Sequence, residues 1–146
     1  SLTPVAVLKD GDVTIWNMDN DVLQLGDLIQ SEISSFAFSP KKTYITVCTK
    51  YVEGQSNLFL INSNKEIVAD YVWKNSSKEG CDNISWTNDE KYMARKDSKT
   101  SKKIYVYEVA ESLTKEMGII TQDKISKFAF APHYIEEKPY FLLVGA

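Results

Sequence analysis

Three stretches of this chain repeat one phrase, and the spacing between them limits the folds open to it. The first is Ile33-Ser34-Ser35-Phe36-Ala37-Phe38-Ser39-Pro40, followed by Lys41-Lys42-Thr43 and Tyr44-Ile45-Thr46-Val47. The second is Asn83-Ile84-Ser85-Trp86-Thr87, then Asn88-Asp89-Glu90-Lys91 and Tyr92-Met93-Ala94-Arg95. The third is Ile125-Ser126-Lys127-Phe128-Ala129-Phe130-Ala131-Pro132, then a longer loop to Tyr140-Phe141-Leu142-Leu143. Aligning Phe38, Trp86 and Phe130 gives a period of roughly 44–48 residues, the length of a unit of several short strands. In each copy an aromatic-rich strand alternates with period two. Ser-Pro, Asn-Asp or Ala-Pro then turns the chain, because Pro presets φ and Asn and Asp tolerate tight turns.

Each copy is followed by two more strands. After the first come Leu58-Phe59-Leu60-Ile61, the turn Asn62-Ser63-Asn64-Lys65, and Glu66 to Val72; after the second come Ile104 to Val109 and a strand around Met117-Gly118-Ile119-Ile120. Asp12-Val13-Thr14-Ile15-Trp16-Asn17 matches those third strands, with Val5 to Leu8 and Val22 to Leu25 on either side. The expected fold is therefore all-β, a partial WD40-like β-propeller of about three four-stranded antiparallel blades. Residues 1–31 read as an incomplete first blade, 32–79 as the second, 80–123 as the third and 124–146 as the start of a fourth. A β-sandwich is the alternative all-β reading, since short strands at regular spacing suit both. Glu111 to Met117 reads as a helical turn. No Gly-His or Trp-Asp pair closes a blade; Trp16-Asn17 comes nearest.

Composition narrows the function classes. Apolar residues at 43% and charged residues at 25% fit a chain that buries a core, and a formal charge of −3 gives no overall attraction to phosphate. Any contact with nucleic acid would need a local basic patch. Cys48 and Cys81 form neither a zinc site nor a disulfide framework, so a reduced, cytoplasmic setting is expected, with a Cys48–Cys81 disulfide as the less favoured alternative. No apolar run reaches the roughly 18–20 residues that span a bilayer, and Ser1-Leu2-Thr3-Pro4 has no signal-peptide character. The chain stops inside the apolar run Phe141 to Ala146 and reads as a slice of a longer propeller. Open strand edges in such a slice predict self-association.

The stretch Asn83 to Arg95 resembles the Ser-Trp-x-x-Asp-Glu-x-x-x-Ala-Arg phrase of the eukaryotic translation initiation factor 2A family, and Cys81 falls where that family often has Cys. Phe36-Ala37-Phe38-Ser39-Pro40-Lys41 resembles its Glu-Phe-Ser-Pro-Lys, Asn57 to Ile61 its Asn-Leu-x-Leu-Tyr strand, and Lys124 to Pro132 its Lys-Ile-x-x-Phe-x-x-Ser-Pro. The landmarks keep one order from about Asp12 onward. The Trp-x-x-Asp phrase is also similar to the b subunit of initiation factor 3. The resemblance implies the first third of a nine-blade propeller, and partners that are the small ribosomal subunit, initiator tRNA and mRNA. The Tyr134 to Lys138 insertion and the Lys99 to Lys103 loop depart from the family pattern.

No catalytic constellation is visible. His133 is the only histidine and follows Pro132 in a loop, which excludes a Ser-His-Asp set elsewhere, and no second imidazole could complete a zinc site. Asp10-Gly11-Asp12 and Asp19-Asn20-Asp21 lack the closing Glu of a calcium loop and read as hairpin turns. No phosphate-loop motif appears. The expectation is a protein without catalytic, metal or cofactor residues, without a small-molecule substrate and without a membrane. Phe36, Phe38, Trp86, Phe128 and Phe130 read as core rather than as base-stacking platforms, and Tyr105 and Tyr107 share one strand face, one of them exposed. For RNA or ribosome contact the candidates are Arg95, Lys96, Lys99, Lys102 and Lys103, on an expected hairpin between second and third strands, with Lys41 and Lys42 in the first copy's turn. The same basic run also reads as a solvated charged loop. Two functions stay open: an initiation-factor propeller that binds ribosome and RNA, and a scaffold propeller that binds protein.

Overall fold

A computed structural model describes residues 5–16, 22–74, 80–81, 84–96, 103–110, 114–121, 125–131, 134–138 and 141–145. Four sheets follow one another along the chain. The first contains β1 (Val5–Lys9), β2 (Asp12–Trp16) and β3 (Val22–Gln24), and a 3-10 turn at Leu25–Asp27 leads out of it. The second contains β4 (Ile33–Phe38), β5 (Ile45–Thr49), β6 (Leu58–Ile61) and β7 (Ile67–Tyr71). The third contains β8 (Ile84–Trp86), β9 (Tyr92–Lys96), β10 (Lys103–Val109) and β11 (Thr114–Thr121), and the fourth β12 (Ile125–Phe130) and β13 (Phe141–Gly145). Every sheet is an antiparallel meander in chain order. The fold is all-β, a run of WD40-like propeller blades.

Phe38, Trp86 and Phe130 are each the last residue of the first strand in their sheets. They pair with residues at the start of the next strands: Phe38 with Ile45 and Phe130 with Phe141, each the first residue of its strand, and Trp86 with Met93, the second residue of β9. The repeat seen in the sequence is thus a repeat in register. The burial of the rings differs. Phe130 is buried, whereas Phe36, Phe38 and Trp86 are half-buried and pack on cluster margins, Trp86 stacking on Tyr44 with ring centroids 5.6 Å apart.

Side-chain parity explains how the blades hold together. In a strand, alternate residues face opposite ways. Ile45 and Val47 of β5 and Ile61 of β6 face the first sheet and cluster with its Val13, with Leu25 and Ile29 of the connection and with Ile33 of β4. Tyr44 and Leu60 face the third sheet and meet Met93, Tyr107 and Val109. The other face of that sheet, with Ala94, Ile104 and Val106, receives Phe130 of the fourth. Because both faces of an inner blade are covered, β5 is buried along its whole length and its sequence runs Ile-Thr-Val-Cys-Thr without charged interruption. Truncating a fully buried side chain such as Leu60 to Ala should cost about 2–5 kcal/mol.

Two expectations are corrected. Thr114 to Met117, read as part of a helical turn, lie in β11, because the strand pairs along β10 from Thr114↔Val109 to Thr121↔Lys103. A long partner strand overrides a weak local helical preference. Second, Cys48 and Cys81 are bonded as a disulfide, with Cα atoms 6.3 Å apart. The repeat carries β5 and the approach to β8 to adjoining positions that two isolated cysteines in a sequence do not reveal. In the chain-entropy view, closing a loop of this span, 33 residues apart, stabilises by about 3–4 kcal/mol.

Candidate interaction surface

The hairpin turns that follow β4 and β8 share one geometry. Ser39 N–H donates to Tyr44 O at 2.9 Å and Tyr44 N–H returns to Ser39 Oγ at 2.9 Å; Thr87 N–H donates to Tyr92 O at 3.0 Å and Tyr92 N–H returns to Thr87 Oγ1 at 3.1 Å. A hydroxyl residue before the turn is therefore structural in both. Lys42 and Glu90 donate their N–H groups to Ser39 O and Thr87 O, and both have left-handed φ, 61° and 63°.

The side chains at that shared position behave oppositely. Lys42 is exposed and its ammonium sits 5.5 Å from the Phe38 ring centroid. Glu90 is only 5% exposed and turns back onto the preceding blade. Its carboxylate accepts the Ser39 hydroxyl, the Thr43 hydroxyl at 2.6 Å, and the N–H groups of Lys41 at 3.2 Å and Thr43 at 3.3 Å. Asp89 reaches the other way. Its Oδ1 accepts Thr87 Oγ1–H at 2.7 Å and Lys91 N–H at 3.0 Å, and its Oδ2 accepts the Tyr134 hydroxyl of the fourth blade's loop at 2.6 Å. Burial acts to raise the Asp89 pKa, but the hydrogen bonds from Tyr134, Lys91 and Thr87 outweigh it and hold the carboxyl below its ordinary value. Burial, then the bond to Asp89, pushes the Tyr134 phenol up to about 12. One turn thus ties three blades together at one end of the sheets. The exposed cations Lys41, Lys42 and Lys91 stand on that end.

The seven basic candidates do not converge. Lys99 and Lys102 lie outside the described residues, as do His133 and Asp19-Asn20-Asp21. Arg95 and Lys96 end β9, the strand expected from Tyr92 to Lys96, but at 5% and 6% exposure they are buried rather than presented with the basic loop. Parity is the reason for Arg95. It lies two residues beyond Met93, on the face turned toward the second sheet. There its Nε–H donates to Tyr107 Oη at 3.1 Å, and its guanidinium carbon sits 4.5 Å from the Tyr105 ring, 5.7 Å from Trp73 and 5.9 Å from Tyr71. Tyr105 and Tyr107 do share a face, and both serve this arginine; Tyr107 is buried and Tyr105 half-buried. Lys103 is exposed at the start of β10. It lies beyond the far end of β9 from the Glu90 turn. Five residues at about 3.3 Å each put it some 16 Å from the end that carries Lys41 and Lys42.

Asp10-Gly11 forms the β1–β2 hairpin turn, both residues at positive φ, and Asp12 Oδ1 accepts the N–H groups of Val13 at 2.8 Å and Gly26 at 2.7 Å. Among the described residues no group of three or more His, Cys, Asp and Glu side chains could hold a metal ion, and no helix is long and apolar enough to cross a membrane. Glu90, Asp89 and Tyr134 escaped the sequence reading. Their only signal was a second acidic residue in a turn whose sister copy carries lysines.

No family model matches the chain, and no curated protein matches it. Solved structures do. The chain is similar to a protein described in "Crystal structure of the eukaryotic initiation factor", at 17% identity and a TM-score of 0.62, over 97% of this chain and 38% of that one. It is also similar to a chain of a "Mitotic Checkpoint Complex", at 10% identity and a TM-score of 0.53, over 99% of this chain and 47% of that one. The chain therefore spans less than half the length of either.

Proposed function

We propose that this chain is part of a translation-initiation propeller that acts by binding, without catalysis, to the small ribosomal subunit, initiator tRNA and mRNA in the cytoplasm. What carries the reading is one coincidence. Three of the four ordered landmarks that resemble initiation factor 2A span one repeated place in the blades, the ends of β4, β8 and β12, and the fourth falls at β6, in a fold similar to that of a eukaryotic initiation factor. The chemistry on offer suits contact with phosphate at the blade ends, where Lys41, Lys42 and Lys91 form one exposed group and Lys103 stands at the opposite end.

Co-sedimentation of the longer parent with small ribosomal subunits across a salt series tests this. The parent should travel with the subunits at low salt and fall away as salt rises; failure to travel at low salt ends the proposal. Reversing Lys41 and Lys42 to Glu should reduce the salt slope by about one unit per lost phosphate contact, and reversing Lys103 reports on the other end. The second reading is a protein-binding scaffold, such as the b subunit of initiation factor 3. The observation in its favour is the burial of Arg95 and Lys96, which removes two cations from a chain already at −3. Self-association through open sheet edges belongs to either reading. Light scattering that shows a strict monomer at high concentration would exclude it.

A further inference from the structure

We infer that Cys48 and Cys81 form a reversible redox latch between the second and third blades, oxidised by a low-molecular-weight disulfide of the glutathione class. The inference stands apart from what the propeller binds. Cys48 lies within β5, and Cys81 stands three residues ahead of β8, so the bond ties one blade to the strand that opens the next. Both sulfurs are enclosed, Cys48 at 0% and Cys81 at 2% exposure, in a cluster with Leu58 and Trp73 and against Ala37, Tyr71 and Ile84.

The surroundings hold Cys81 in place whether or not the bond is made. Its N–H donates to Ser35 Oγ at 3.0 Å, and Gly80 before it has φ +69°, a conformation that side-chain-bearing residues resist. The Cys81 sulfur lies 3.8 Å from Ser35 O, so a thiol there has a carbonyl to donate to. On the other side, Asn57 clamps Trp73: Trp73 N–H donates to Asn57 Oδ1 at 2.5 Å and Asn57 Nδ2 to Trp73 O at 2.7 Å. Breaking the bond leaves the Cys81 thiol facing the Ser35 carbonyl and the Cys48 thiol enclosed in the same apolar cluster, so remaking it needs little motion.

The exchange balances as follows. The Cys81 thiol loses its proton, and the thiolate attacks one sulfur of glutathione disulfide, breaking that S–S bond and releasing one glutathione thiolate. The Cys48 thiolate then attacks the Cys81 sulfur of the mixed disulfide and releases the second glutathione. Two protein thiols and one glutathione disulfide become one protein disulfide and two glutathione thiols. Cys81 goes first because it lies outside the strands and next to half-buried Gly80, whereas Cys48 is hydrogen-bonded into the middle of a sheet.

The test uses the whole chain, reduced and then equilibrated with glutathione disulfide. Titration after denaturation should find both thiols lost with no glutathione retained, and reduced glutathione should restore them. The oxidised form should melt about 10 °C above the reduced one. C48S should retain one glutathione, at Cys81, and C81S none. Two titratable thiols persisting in the wild type would overturn the inference, as would glutathione on both cysteines. A bond that native protein never yields to reduced glutathione would equally overturn it, since that describes a static cross-link. The wild-type titrations stand even if a variant fails to fold.

Discussion

The turns after β4 and β8 have the same backbone, the same hydroxyl-to-backbone bonds and the same left-handed residue, yet one ends in an exposed lysine and the other in a buried glutamate. The difference lies in what each turn finds behind it. The Glu90 turn lies against the Ser39–Thr43 turn, which offers two hydroxyls and two N–H groups at acceptor distance. A carboxylate can satisfy four donors; an ammonium can accept none. A repeated turn therefore supplies a scaffold on which one copy is free to face a partner while the next serves as mortar between blades.

Swapping the charges should break this asymmetry most strongly. Glu90→Lys buries an ammonium among donors and should destabilise by more than about 3 kcal/mol in urea unfolding, whereas Lys42→Glu, at the exposed sister position, should stay within about 0.5 kcal/mol. Glu90→Ala should cost about 2–3 kcal/mol by removing the acceptor of the Thr43 hydroxyl and of the Lys41 and Thr43 N–H groups. Glu90→Gly relaxes the left-handed backbone as well. If it gains as much stability as Lys42→Gly does at the sister position, the carboxylate contributes nothing and the contrast between the turns collapses.

Tyr134→Phe sharpens the comparison on the other flank, since it removes only the tie from Asp89 to the fourth blade. About 1 kcal/mol should be lost. The pH profile should change with it. Folding lowers the Asp89 pKa, so its contribution is present above the ordinary 3.8 and is lost as pH falls below that. Folding raises Tyr134 from 10.0 to about 12, so its contribution is intact below pH 10 and is lost between 10 and about 12. Unfolding free energies measured across pH should show both arms in the wild type, and Tyr134→Phe should abolish the alkaline one. The smallest effect is Lys42→Gly, which relieves the left-handed φ and should stabilise by about 0.5 kcal/mol, visible as a small rise in the urea midpoint.

Much of the fold was legible because the repeat is written in residues that act locally. The aromatic strand, the Ser-Pro or Thr-Asn turn and the Tyr that opens the next strand each constrain their own backbone, and the register pairs at Phe38, Trp86 and Phe130 follow from them. The candidate site was less legible. Arg95 and Lys96 read as part of a basic hairpin because charge suggests solvent, but strand parity carries Arg95 into the interface beside Met93. Counting residues from Met93 would have found it, since β9 faces a neighbouring blade on both sides. Thr114 to Met117 looked helical because their pairing partner is a strand elsewhere in the chain.

The order of short strands, the turn chemistry and the blade-length period are local or periodic properties, and so the amino acids alone specify them. Which acidic residue becomes buried, which arginine is caged by aromatic rings and whether Cys48 meets Cys81 depend on residues some 12 to 51 positions apart. Such pairs are brought together only when one blade packs on the next. Linear spacing carries no record of that packing, because the free energy that selects it comes from surface buried between sheets rather than from any residue's own preference.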